Sequence, residues 1–331
     1  MLFSAFSCEK NDIGHFEEEV SNFSAVNTFY DDYNSTSPIL NFDYLFHFSS
    51  NRNSNGIEFD LVGEDMSIDW NIDNGTLEIW NDPNNPNLLY LAPLFDAINT
   101  PHNELGPYSL IYRKDTNSST LVDLIIYASD QNGNFDIRFG ASEFNENIAD
   151  TVFGGEIEFL NTSANELYPS FYGENFYYHD WNGIDISKIE EIIYSSDKEG
   201  NFNIYSVDFS TSSSLIQALQ STNLSEPTKL ALSSSSEDKC PYVNGKLLTF
   251  SSNRPGGYGG FDLYYSLFEN GSWSAPINFG NKINTGFDEY RPISLYIQNF
   301  DNNLLIFSSD RPGGKGGFDL YYTGIKQLIA K

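Results

Sequence analysis

The chain has 331 residues, with 17 Lys+Arg against 46 Asp+Glu, a net charge of -29 and 16% aromatic residues. That balance excludes a nucleic-acid binder, which needs clustered Lys and Arg to neutralise phosphates, and it disfavours anionic bilayer surfaces. Two cysteines exclude a disulfide framework, and no apolar run reaches the ~20 residues of a membrane span.

Met1 to Cys8 reads M-L-F-S-A-F-S-C, an apolar stretch ending in small residues before a cysteine, after which Glu9, Lys10, Asn11 and Asp12 turn the chain polar. This resembles the end of a bacterial lipoprotein signal, with Cys8 as the lipidated residue. The short apolar stretch and the missing basic start place the expected true start upstream of Met1. Residues 1–15 are therefore assigned to signal and tether and residues 16–331 to the folded domain. The expected location is the outer membrane, at the cell surface or facing the periplasm, with the membrane touched only through the lipid. Cys240 is then expected as a buried small hydrophobe.

Beyond the tether, one signature recurs five times: an apolar strand, Ser or Ala, Ser, Asp or Asn, a turn, then Phe-Asp/Asn-Leu/Ile. The copies run Phe48-Ser49-Ser50-Asn51-Arg52 to Phe59-Asp60-Leu61, Tyr127-Ala128-Ser129-Asp130 to Phe135-Asp136-Ile137, and Tyr194-Ser195-Ser196-Asp197 to Phe202-Asn203-Ile204. The last two are near twins, Phe250-Ser251-Ser252-Asn253-Arg254-Pro255-Gly256-Gly257 to Phe261-Asp262-Leu263 and Phe307-Ser308-Ser309-Asp310-Arg311-Pro312-Gly313-Gly314 to Phe318-Asp319-Leu320. A second signature precedes each copy, as in Ile98-Asn99-Thr100 leading to Glu104 and Pro107, or Ile283-Asn284-Thr285 leading to Glu289 and Pro292. Leu232 to Asp238 and Pro241 keeps the spacing but lacks Asn-Thr, while Val26-Asn27-Thr28 keeps Asp32 and delays its proline to Pro38.

Each unit reads as a four-stranded antiparallel blade, and stacking such blades around an axis covers faces that one sheet would leave exposed. The fold class is therefore all-β, a five-bladed β-propeller. The last repeat lacks a fourth strand, and the segment Phe16 to Phe23 precedes an Asn-Thr where that strand belongs. The N-terminal segment is expected to close the ring, with Gly324 to Ala330 as the rival.

Strand parity puts the recurring acids and Arg52, Arg254 and Arg311 on one face, where repetition marks them as turn anchors and interblade pairs. The long insertions, Gly63 to Asn87, Gly173 to Lys188 and Ser206 to Ser225, share the opposite face. Loops on a rigid scaffold are where partner contacts reside. Two insertions are aromatic, so Trp70, Trp80, Phe176, Tyr177, Tyr178 and Trp181 are the candidate binding residues.

The repeats resemble the WD-like propeller repeat of TolB-type proteins, especially the F-S-S-[ND]-R-P-G-G-x-G-G-F-D-[LI]-Y form of Bacteroidetes envelope proteins. That resemblance implies a non-enzymatic envelope scaffold binding a protein or a polysaccharide, monomeric on its own. The four histidines show no metal-ligand spacing and there is no Gly-x-Ser-x-Gly elbow, so no cofactor, no metal and no catalytic residue is expected. The alternative is a polysaccharide-binding propeller or a five-bladed glycosidase, which needs paired carboxylates. The expected innermost strands offer only Glu174, with Asp43 possible. The excess negative charge is read as the recurring acids plus solvated turns, rather than as a calcium store or a trap for cations.

Overall fold

The computed structural model describes residues 13–40, 43–71, 73, 75–115, 119–145, 148–177, 184–209, 214–221 and 225–328. Cys8, Tyr178 and Trp181 lie outside the described residues. The chain opens with β1 (Ser21–Asn22), and blade one follows as β2 (Asp32–Thr36), β3 (Ile39–Leu40), β4 (Asp43–Ser50), β5 (Asp60–Asn71), β6 (Thr76–Trp80) and helix α1 (Leu88–Ile98). Blade two is β7 (Glu104–Arg113), β8 (Leu121–Ser129), β9 (Asp136–Asn145) and β10 (Ile148–Glu156). Blade three is β11 (Glu166–Tyr172), β12 (Glu191–Ser196), β13 (Asn203–Asp208), the short helix α2 (Leu215–Leu219) and β14 (Thr228–Lys229). Blade four is β15 (Asp238–Asn244), β16 (Leu247–Ser252), β17 (Asp262–Glu269), β18 (Ser272–Trp273) and β19 (Ile277–Asn278), and blade five is β20 (Glu289–Leu295), β21 (Asn303–Ser309) and β22 (Asp319–Ile325).

These strands form five sheets, the last ordered β1-β22-β21-β20. The N-terminal segment therefore closes the ring. Ser21 stands opposite Tyr322 and Asn22 opposite Tyr321, the Phe23 amide donates to the Leu320 carbonyl at 2.8 Å, and Phe16 and Phe23 are each 1% exposed. Blade one departs from the expected pattern. The apolar run before Asn99-Thr100 is helix α1 rather than a fourth strand, because Leu91, Leu94, Phe95 and Ile98 recur at helical spacing and form its buried stripe. Part of the expected irregular insertion is instead ordered: β5 runs on and folds back as β6, with Trp70 opposite Leu77.

The two repeated signatures meet at the junctions between blades. The amide of each recurring acid donates to the carbonyl of the phenylalanine in the preceding blade: Asp32 to Phe318, Glu104 to Phe59, Glu166 to Phe135, Asp238 to Phe202 and Glu289 to Phe261, all at 2.7–2.9 Å. The side chain before each acid accepts the amide of the same phenylalanine, through Asp31, Asn103, Asn165, Glu237 and Asp288. Each acid in turn accepts from the amide and hydroxyl of Thr28, Thr100, Thr162, Ser234 or Thr285. Blade four lacks Asn-Thr, yet Ser233 takes the Ile204 amide as Asn99 takes that of Leu61. Arg52, Arg254 and Arg311 reach Asp32, Asp238 and Glu289 at 2.7, 2.5 and 3.0 Å. Buried carboxyl groups are tolerated when their oxygens are satisfied in this way.

Two residues beyond each acid the backbone turns left-handed, at Asn34, Gly106, Tyr168, Cys240 and Arg291. A bulge in every innermost strand accompanies the turn. Bulges bend a strand and re-aim its side chains, and these fill the axis. Arg291 is fully buried, donates to the Pro241 and Pro107 carbonyls at 2.5 and 3.0 Å, and lies near the rings of Tyr168 and Tyr242. Cys240 is buried as expected, and burial pushes its thiol up to about 11. At Gly106 (φ +61) a Cβ would sit 2.4 Å from the Tyr168 ring. Gly106→Ala is accordingly expected to destabilise by roughly 2–4 kcal/mol, combining left-handed strain with overpacking. Urea denaturation checks this, and an unchanged midpoint would show that the axis has slack.

Candidate active site

The five innermost strands carry no carboxylate besides the recurring acids, all of which are buried in the junctions. Carboxylates with freedom to act must lie elsewhere, and one group lies on the insertion face between blades three and four. There β11, β12 and β13 place Tyr172, Glu191 and Asp208 in one cross-strand row. Residues directly opposite in antiparallel strands share a face with Cβ atoms about 5 Å apart. Ile193, on the same face of β12, packs with Tyr172 in the core between these blades, against Phe268 and Trp273. The row therefore looks toward blade four.

The connection after β11 adds two acids. Glu174 is half exposed and pairs with Lys246 at 2.7 Å, while its amide donates to the Glu190 carboxylate at 3.2 Å. The Glu190 amide donates to the Tyr172 carbonyl, and its own carbonyl accepts the Phe209 amide, both at 2.8 Å. This holds Glu190 beside the start of β12. Burial raises the Glu191 carboxyl above its ordinary range, with Asp208 and Glu190 pushing the same way and the Ser206 hydroxyl pulling back. Asp208 is exposed. Two adjacent carboxylates thus sit in unlike surroundings, one inclined to hold a proton and one open to solvent.

Three rings border the carboxylates. Tyr172 lies 5.3 Å from Phe268 and 5.1 Å from Trp273, and these two lie 5.2 Å apart. The Tyr172 hydroxyl is buried without a hydrogen-bond partner among the described residues. Burial, then Glu191, Glu190 and Glu174, hold its proton on. Among the described residues no group of three or more His, Cys, Asp or Glu is placed to hold a metal ion.

The aromatic residues expected from sequence are dispersed. Phe176 is 3% exposed and belongs to the central core, not to a presented surface. Trp70 faces inward on the β5–β6 hairpin and meets Phe300 edge-on at 6.1 Å. Trp80 is 41% exposed, with its indole N–H on Asp69 at 3.0 Å. Among the described residues of that set Tyr177 comes nearest to these acids, through Lys246, the partner of Glu174. The Tyr177 ring covers Gly245, where a Cβ would lie 2.5 Å away, next to Lys246. Asp43 begins β4 rather than an innermost strand. Glu190, Glu191 and Asp208 went unseen because they flank middle strands. The available signal was the run Lys188-Ile189-Glu190-Glu191, where two acids interrupt the start of an otherwise apolar strand.

No protein-family model and no curated protein matches the chain. Among solved structures it is similar to a GH62 hydrolase in complex with xylotriose, with 11% identity, a TM-score of 0.50 and coverage of 96% of this chain and 99% of that one. It is also similar to a structure described under the GH130 family of mannoside phosphorylases, which contains glycoside hydrolases that target β-1,2 mannosidic linkages in Candida mannan. There the identity is 9%, the TM-score 0.50 and the coverage 100% of this chain and 98% of that one. What is shared is the fold. These structures of the same fold correct the resemblance to TolB-type repeats, and with it the expectation of a non-enzymatic scaffold and of no enzymatic activity. The reason is physical. The Ser, Asp/Asn and Arg of the repeat are consumed in turns and blade junctions, so they specify how blades join rather than what the propeller does.

Proposed function

We propose that this chain is a glycoside hydrolase acting on a polysaccharide, with Glu191 as proton donor and Asp208 as the opposing carboxylate. The observation that supports it is the cross-strand pairing of Glu191, half-buried and inclined to keep its proton, with the exposed Asp208. In this reading Glu191 passes its proton to the leaving oxygen as the C1–O bond breaks. Asp208 stabilises or attacks C1, and water supplies the hydroxyl that completes hydrolysis. Trp273, Phe268 and Tyr177 offer apolar faces to sugar rings. A lipid on Cys8 would place this activity at the outer membrane.

Release of reducing sugar from a panel of neutral, amino and acidic glycans tests the assignment. Glu191→Gln and Asp208→Asn are each expected to lower turnover by about 10²–10⁴-fold, the range for losing a positioned acid or base, with circular dichroism unchanged. Activity should fall on the alkaline side as Glu191 loses its proton. Release that survives both substitutions, or no release by the wild type from any glycan, overturns the reading.

A further inference from the structure

We infer that the sugar accepted at the rim between blades three and four carries free amino groups, as in a deacetylated amino-sugar polymer. This rests on the hydrolase reading and adds the class of substrate. Four carboxylates, Glu174, Glu190, Glu191 and Asp208, lie along this rim, and among the described residues their one ion pair is that of Glu174 with Lys246.

A second and independent feature points to a ligand. Tyr172 is 3% exposed, and its hydroxyl is buried without a partner among the described residues although it lies within the influence of Glu191, Glu190 and Glu174. A buried donor left unsatisfied is an uncommon feature of folded proteins, and a ligand oxygen beside the carboxylates would satisfy it. The rings of Tyr172, Phe268 and Trp273 contact one another next to the same acids. Aromatic faces joined to carboxylates form a receptor for ammonium groups, since each favours a cation by a separate electrostatic route. A uronate would meet uncompensated like charge, and a neutral sugar would gain only the Tyr172 donor and the ring faces.

Titration calorimetry on the Asp208→Asn protein, with turnover suppressed, compares three hexamers of stated composition: glucosamine, N-acetylglucosamine and galacturonate. At pH 5.5 and low salt the glucosamine hexamer is expected to bind about tenfold or more tighter than its acetylated counterpart, with galacturonate weakest. The preference should shrink to about threefold or less in half-molar salt and in the Glu190→Gln/Asp208→Asn double variant. Glu190 is exposed, so its substitution does not threaten the fold. Equal affinities, or a preference for the acetylated or acidic hexamer, overturn the inference. If Glu191-dependent release from a neutral glycan occurs without the amino preference, the substrate class fails and the hydrolase reading stands. If the amino preference persists while no glycan is cleaved, the hydrolase reading fails instead.

Discussion

Removing residues 9–24 is expected to lower the melting temperature by more than 10 °C, an effect of the order produced by several kcal/mol in a chain of this size. The segment supplies β1, the fourth strand of blade five, and with it Phe16 and Phe23, each 1% exposed. Phe16 stacks on Phe300 at 4.1 Å, while Phe23 meets Phe46 of blade one at 5.4 Å and Tyr322 of blade five at 5.8 Å. Truncating one buried Phe typically costs about 3–5 kcal/mol. The cut also bares β22 as an edge strand, an invitation to pair with another molecule. The full-length Phe16→Ala/Phe23→Ala variant separates packing from tethering and should melt almost as early. Calorimetric melting within two or three degrees of the wild type for both proteins would mean that the ring is held shut by the blade junctions alone.

The second large effect comes from a charge with nowhere to go. Asp123 is 1% exposed, stands opposite Ile111 and Ser142, and has both oxygens unpartnered among the described residues. Burial pushes its carboxyl up to about 7. An unfolded chain releases that proton near the ordinary carboxylate range, whereas the folded chain holds it until about pH 7, so the native state binds the extra proton in between. Stability must therefore fall as pH rises across that window, by an upper bound of about 4 kcal/mol for a shift of roughly three units. Glu104, raised to about 7 by burial, acts in the same direction. His47, buried beside Ser109 and lowered to about 3, acts oppositely and costs stability as pH drops below its ordinary value. Asp123→Asn should match the wild type at pH 4 and exceed it by a few kcal/mol at pH 8 in urea unfolding. A difference that does not change with pH would mean that Asp123 is not titrating in the interior.

Much of the architecture was readable because its determinants are repeated and local. The Asn-Thr to acid spacing and the Phe-Ser-Ser repeat each mark a turn whose polar groups must be satisfied, so five copies imply five equivalent junctions. Even the substitution of Ser233-Ser234 for Asn-Thr preserved the bonding. Helix α1 was less legible, since an apolar run before Asn99 fits a buried strand as well as a buried helix, and only the Leu91, Leu94, Phe95 and Ile98 spacing separates them. The candidate site was nearly opaque for the opposite reason. Glu191 and Asp208 come together through β-pairing and gain significance from burial and from rings that blade four contributes. Of the site's carboxylates the sequence marks only Glu174, as the end of an expected innermost strand, although β11 stops at Tyr172. The aromatic clusters misled because a ring in an insertion is as useful for fastening that insertion, as with Trp70 and Phe176, as for meeting a ligand.

The kink after each recurring acid carries Asn34, Gly106, Tyr168, Cys240 or Arg291 on one shared backbone shape. The mount is written in main-chain geometry and junction bonds, and the fitting it holds is free to differ from blade to blade. A solid hub and an open tunnel are thus only a few substitutions apart. Shortening Arg291 would open space at the centre of this ring and remove its bonds to the Pro241 and Pro107 carbonyls of blades four and two.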